Sequence, residues 1–147
     1  MAYTSREIRV SGSRAFAALV DPETYPQWLI GTHRIRDVDP NWPQQGSRFH
    51  HVVGPGPLRI ADSSEVLEIE PGSVLALRVR ARPFIAAVVT FRVLGANGSC
   101  VVSMQEEPAV RTIGNIVRPV MDPLIHVRNH RSLRRLAKLV EGQAPRE

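Results

Sequence analysis

Fourteen carboxylates, five histidines and one cysteine are the first side chains to weigh for moving protons, binding a metal or acting as nucleophiles. His50 and His51 are adjacent in an alternating stretch. Neighbours on a strand face opposite ways, so the two cannot hold one ion together. His51 shares its side with Phe49 and Val53, which aims it inward as an acid or base, or as a hydrogen-bonded core residue. His126 and His130 are four apart, a spacing that could share a metal on a helix, but they fall on the polar face beside Arg134. Glu106 is in register with Val102 and Met104, which points a carboxylate inward. A buried carboxylate needs a partner or stays protonated, and Arg128 or Asn129 on the following helix is the natural one. Such a pair is either a structural tie or a ligand anchor. Asp62 joins the inward set only if its strand keeps the parity of Leu58 and Ile60. Cys100 has the parity of Val102 and reads as a small inert hydrophobe.

No Gly-rich phosphate loop, His-Glu-x-x-His helix or Gly-x-Ser-x-Gly elbow is present. No three His, Cys or carboxylate ligands can be made to converge from these registers. The sequence therefore predicts no stoichiometric metal and no cofactor.

The elements that must position these side chains follow from periodicity. Ser5–Ser11 reads as a first strand, and Ser11-Gly12-Ser13 offers a cap for a short helix through Val20. Asp21-Pro22 starts a second short helix carrying Tyr25 and Trp28. Period-two stretches follow at His33–Val38, Ser47–Val53, Leu58–Ile69, Val74–Ala81, Ile85–Val93 and Cys100–Glu107. Leu58/Ile60 and Leu67/Ile69 fall on opposite parity, which predicts a bulge in the third of these. Asn97-Gly98 is a hairpin turn. A short helical piece at Ile113–Val120 precedes an Asp122-Pro123 cap. A long helix then carries Ile125, Asn129, Ser132, Leu136 and Val140 at spacings of three and four, and Gly142 ends it. This order predicts an α+β fold: seven curved antiparallel strands around one long C-terminal helix.

With 147 residues and 43% apolar content, the chain suits one domain over 1–147, fraying from about 143. A single cysteine, no leader-like start and no membrane-length apolar run predict a cytoplasmic protein. Eighteen of the nineteen basic residues are arginine. Residues 1–110 are formally neutral, and the whole +5 comes from residues 111–147. With no basic run and no interleaved aromatics, that region reads as a solvated helix face, with weak nucleic-acid binding or none.

The stretch Phe16-Ala17-Ala18-Leu19-Val20-Asp21-Pro22-Glu23-Thr24-Tyr25-Pro26-Gln27-Trp28 carries a family resemblance. Gly46-Ser47-Arg48-Phe49, Val66-Leu67-Glu68-Ile69-Glu70-Pro71 and Arg128-Asn129 through Leu136 carry it further. Together they resemble the START-like, helix-grip superfamily, specifically its polyketide cyclase/dehydrase and lipid-transport group (SRPBCC). The resemblance implies an internal cavity and no universal catalytic motif. Ligand contacts are then expected from His51, Phe91, Met104, Glu106, Met121, Ile125, Arg128 and Asn129. Tyr25 and Trp28 are expected to pack the cavity's end, and Trp42, in a Pro-flanked loop, to serve as a lid. The first functional expectation is binding or transport of a lipid, sterol or polyketide-like molecule by a monomer or homodimer. A cyclase or dehydratase using His51, Glu106 or Asp62, and an RNA- or ribosome-directed module, are the alternatives.

Overall fold

The computed structural model describes residues 2–82, 85–95, 97–108 and 111–142, with only the backbone path for residues 85 and 111–122. Seven strands form one antiparallel sheet in the order β1-β7-β6-β5-β4-β3-β2. They are β1 (Ala2–Ile8), β2 (Thr32–Val38), β3 (Arg48–Val53), β4 (Ile60–Glu70), β5 (Val74–Ala81), β6 (Ile85–Leu94) and β7 (Cys100–Pro108). Between β1 and β2 lie α1 (Gly12–Leu19), one 3-10 turn (Pro22–Thr24) and the single-turn α2 (Tyr25–Trp28); α3 (Arg111–Gly142) follows β7. The expected helix-grip architecture is therefore present.

Local chemistry sets the joints. Ser11 Oγ accepts the Arg14 N–H and caps α1, while the Asp21 carboxylate accepts the Glu23 N–H with Pro22 in the first turn. Cap formation at Ser11 also explains why β1 stops at Ile8 rather than reaching Ser11. The strand starts earlier, at Ala2, because Ala2 to Ile8 pair residue for residue with Glu106 back to Cys100. In β4 the register slips between Val66 and Glu68, so Ser64 and Val66 face inward before the bulge and Ile69 faces inward after it, opposite Leu75.

One expectation fails. Helix α3 runs unbroken through Pro119 and Pro123 instead of restarting at Asp122-Pro123. Each proline deletes one backbone bond, and four residues apart both losses fall on the same side. A long helix anchored at its far end tolerates that. The anchor is the stripe Asn129, Ser132, Leu133, Leu136, Ala137 and Val140, all buried. Leu133, Leu136, Ala137 and Val140 share a core with Ile8, Val10, Leu19, Val93 and Val102. The expected tail from 143 lies outside the described residues.

Candidate ligand-binding site

The inner face of the sheet is packed at one end and hollow at the other. A cavity of about 650 Å³ lies between β3–β7 and the middle of α3. Leu77, Val79, Ala87, Val89, Phe91 and Met104 form its apolar wall. Cross-strand pairing explains the set: Leu77 opposes Val89, Val79 opposes Ala87, and Phe91 opposes Met104. Pro26, Leu29 and Ile30 from α2 and its exit, with the Gly54-Pro55-Gly56 loop, complete the rim. That loop needs its first glycine. Gly54 has φ +150°, and a Cβ there would sit 2.5 Å from the Leu58 carbonyl oxygen.

Two polar clusters border this space. On the β7 side, Arg128 Nη2 donates to Glu106 Oε1 at 2.5 Å, with the carboxylate nearly buried and the guanidinium a third exposed. Asn129 Oδ1 accepts from Arg128 Nε and Nη2 at 3.3 and 3.2 Å, which fixes the guanidinium from behind. Both Glu106 and Arg128 line the cavity, as does Arg135 two helical turns on.

The second cluster stands where β5 leaves β4, whose ladder ends at Ser64 opposite Val79. Beyond that point side chains take over the missing strand bonds. His51 Nε2 lies 2.9 Å from the Arg80 carbonyl, and a carbonyl only accepts, so this nitrogen carries the proton. The Asp62 carboxylate accepts the Arg82 N–H at 2.8 Å and its guanidinium at 2.8 and 3.1 Å. Burial pushes the Asp62 carboxyl up, but the hydrogen bonds from Arg82 and Ser63, with the Arg82 charge, outweigh it and hold the group well below the usual carboxylate range. Burial lowers the His51 proton affinity, more than the Arg80 carbonyl and Asp62 restore.

The expected residues thus divide. His51, Phe91, Met104, Glu106 and Arg128 line the cavity. Asn129 is fully buried and braces Arg128, and Ile125 is half-buried on the same helix; neither is on the cavity wall. The Met121 side chain lies outside the described residues. Asp62 keeps the inward parity but spends its carboxylate on Arg82. Tyr25 and Trp28 are completely buried, edge-on at 5.6 Å between ring centroids, and pack rather than line. Trp42 is a correction. Its indole N–H donates to the Val20 carbonyl at 2.7 Å and its ring meets Phe49 edge-on, so it belongs to the core and not to a lid. Cys100 is buried, and burial pushes its thiol up. His126 and His130 are exposed, and among the described residues no three metal-ligating side chains converge.

Sequence reasoning missed Ser64, which lines the cavity and is fully buried. Its signal was available, since Ser64 shares the parity of Asp62 and Val66 ahead of the bulge. The closure of Arg82 onto Asp62 had no such signal, because only the folding back of β5 brings them together.

Comparison with known proteins places this geometry. No curated protein matches the sequence. Solved structures match at the level of fold: TTHA0849 from Thermus thermophilus has 16% identity and a TM-score of 0.70, covering 98% of this chain and 99% of that one. The Zhui aromatase/cyclase from Streptomyces has 13% identity and a TM-score of 0.70, covering 95% and 92%. The di-domain aromatase/cyclase StfQ of the steffimycin biosynthetic pathway has 10% identity and a TM-score of 0.74, with this chain covering 52% of that one. The family described as polyketide cyclase / dehydrase and lipid transport matches residues 2–141, nearly the whole sequence, and this chain belongs to that family.

Proposed function

We propose that this protein binds an apolar small molecule, of lipid, sterol or polyketide-like character, inside the cavity with the ligand's polar end at Glu106 and Arg128. One observation carries the reading. A largely apolar hollow of about 650 Å³ has a fixed carboxylate–guanidinium pair on one wall. That is the composition of a small-molecule site, where apolar walls supply affinity and a few placed polar groups orient the ligand. His51, Phe91 and Met104 complete the contacts.

Binding is preferred over cyclase or dehydratase chemistry because the acids and bases on the described wall already have partners. His51 holds the Arg80 carbonyl, His33 the Gly54 carbonyl and Glu106 the Arg128 guanidinium. His51 Nδ1 keeps a lone pair, but it stands on β3, four strand spacings from Glu106 on β7, so the two cannot act as base and acid at one reacting centre. The hollow also argues against a purely macromolecular module, whose interior would be filled.

Native mass spectrometry and an environment-sensitive apolar dye test the reading. Wild-type protein should show occupancy by both. Phe91→Trp and Met104→Trp, which extend into the hollow, should abolish dye binding with the fold retained by circular dichroism. Glu106→Gln should weaken a probe with a polar head more than a bare hydrocarbon. Absence of occupancy in both assays would overturn the reading.

A further inference from the structure

Among the described residues, the cavity wall carries a buried hydroxyl that the fold does not use. Ser64 is fully buried on the wall, and its Oγ has no hydrogen-bond partner among the described residues. Two other fully buried serines use theirs: Ser47 Oγ donates to the Gln44 carbonyl, and Ser132 Oγ accepts the Ile30 N–H. A buried hydroxyl without a partner costs stability that an alanine at the same place would not. Ser64 is flanked by apolar neighbours, Phe49 and Val79, which offer it nothing.

Its diagonal neighbour across β3 is His51, which also lines the cavity. With Nε2–H committed to the Arg80 carbonyl and the ring kept neutral by burial, His51 Nδ1 is left as an acceptor. The wall around β3 and β4 therefore carries a hydroxyl that can donate or accept, beside a ring acceptor.

Resting on the binding reading above, we infer that Ser64, with His51 beside it, is a second polar anchor opposite the Glu106–Arg128 pair, so that the cavity selects a rigid apolar molecule bearing a hydroxyl group at each end. Strand order fixes the separation. Ser64 on β4 and Glu106 on β7 are three strand spacings apart, about 14 Å along the sheet and less across its concave face. A single-headed fatty chain would leave Ser64 unmatched. A two-ended, ring-based molecule matches both walls.

The test uses biphenyl, its para-hydroxy derivative and its para,para'-dihydroxy derivative, titrated by fluorescence into wild-type protein and Ser64→Ala. In wild type the second hydroxyl should tighten binding by roughly tenfold over the first, the scale of one added hydrogen bond. In Ser64→Ala that gain should vanish, while biphenyl binding and the thermal midpoint stay equal or rise. Ser64→Thr, which retains the hydroxyl, should keep at least part of the gain. If biphenyl and the monohydroxy probe bind but the second hydroxyl adds nothing in wild type, or adds equally in Ser64→Ala, the second anchor is wrong and the binding reading stands. If none of the three binds wild type, both fall together.

Discussion

The two ends of the sheet's inner face share one pattern and meet opposite fates. At the closed end Ile8, Val93 and Val102 meet Leu133, Leu136, Ala137 and Val140 of α3 and are packed solid. At the open end Leu77 and Val79 of β5 and Ala87 and Val89 of β6 are presented in the same alternation and border a hollow. The sheet does not differ; its cover does. Past Asn129 toward the start of the helix, α3 leaves Leu124 62% and Val127 49% exposed rather than driving them into the sheet. Alternation decides which face a side chain takes, and the volume supplied from across the space decides whether that face becomes core or cavity.

Truncation at each end sharpens the contrast most. Leu136→Ala, in the packed end, should lower the unfolding free energy by about 2–5 kcal/mol because the void it opens cannot collapse. Val89→Ala, which only enlarges an existing hollow, should cost about 1–2 kcal/mol. Urea titration of both variants checks this, and equal losses would mean the open end is packed as tightly as the closed one.

Next in size is the polar joint that holds the open end where β5 departs. Asp62→Asn should cost roughly 1–3 kcal/mol at neutral pH, the scale of hydrogen bonds to a charged group. The sign follows from a folded-state carboxyl held below its unfolded value. Its contribution is complete above the ordinary carboxylate range and is lost as pH falls below about 4, so the wild-type and variant curves should converge there. Denaturation midpoints collected down the acid limb would show the convergence; a constant gap would detach Asp62 from the joint.

The smallest effect belongs to His51. Its folded ring resists protonation, so the unfolded chain takes up the proton first and stability falls as pH drops below about 6.5. The slope cannot exceed about 1.4 kcal/mol per pH unit, the limit for one proton. His51→Gln, whose amide N–H can still reach the Arg80 carbonyl, should be flatter than wild type over that range. Identical slopes would show that His51 does not titrate differently on folding.

Particular residues mark how far the sequence could be read. The parity break between Leu58/Ile60 and Leu67/Ile69 located the β4 bulge, now seen at Val66/Glu68. The parity of Glu106 with Met104 called for a partner on the following helix, Arg128 or Asn129, and Arg128 supplies it across β7 and α3. Those are one-dimensional facts, because period two on a strand and 3.6 on a helix survive without knowledge of neighbours. Trp42 went the other way. A Pro-flanked loop looks mobile in sequence, but its indole finds the Val20 carbonyl and the Phe49 ring only after β2 and β3 bring the loop back over α1.

Period, caps and turns therefore determined on their own the strand set, the helix starts at Ser11 and Asp21, and the inward direction of His51, Phe91, Met104 and Glu106. The tertiary structure alone decided that α3 runs unbroken through two prolines, that Asp62 is consumed by Arg82, and that Ser64 Oγ has no partner among the described residues. Each of these depends on what stands across a gap between elements far apart in sequence. Local periodicity fixes the direction in which a side chain points, and carries no information about what it will meet.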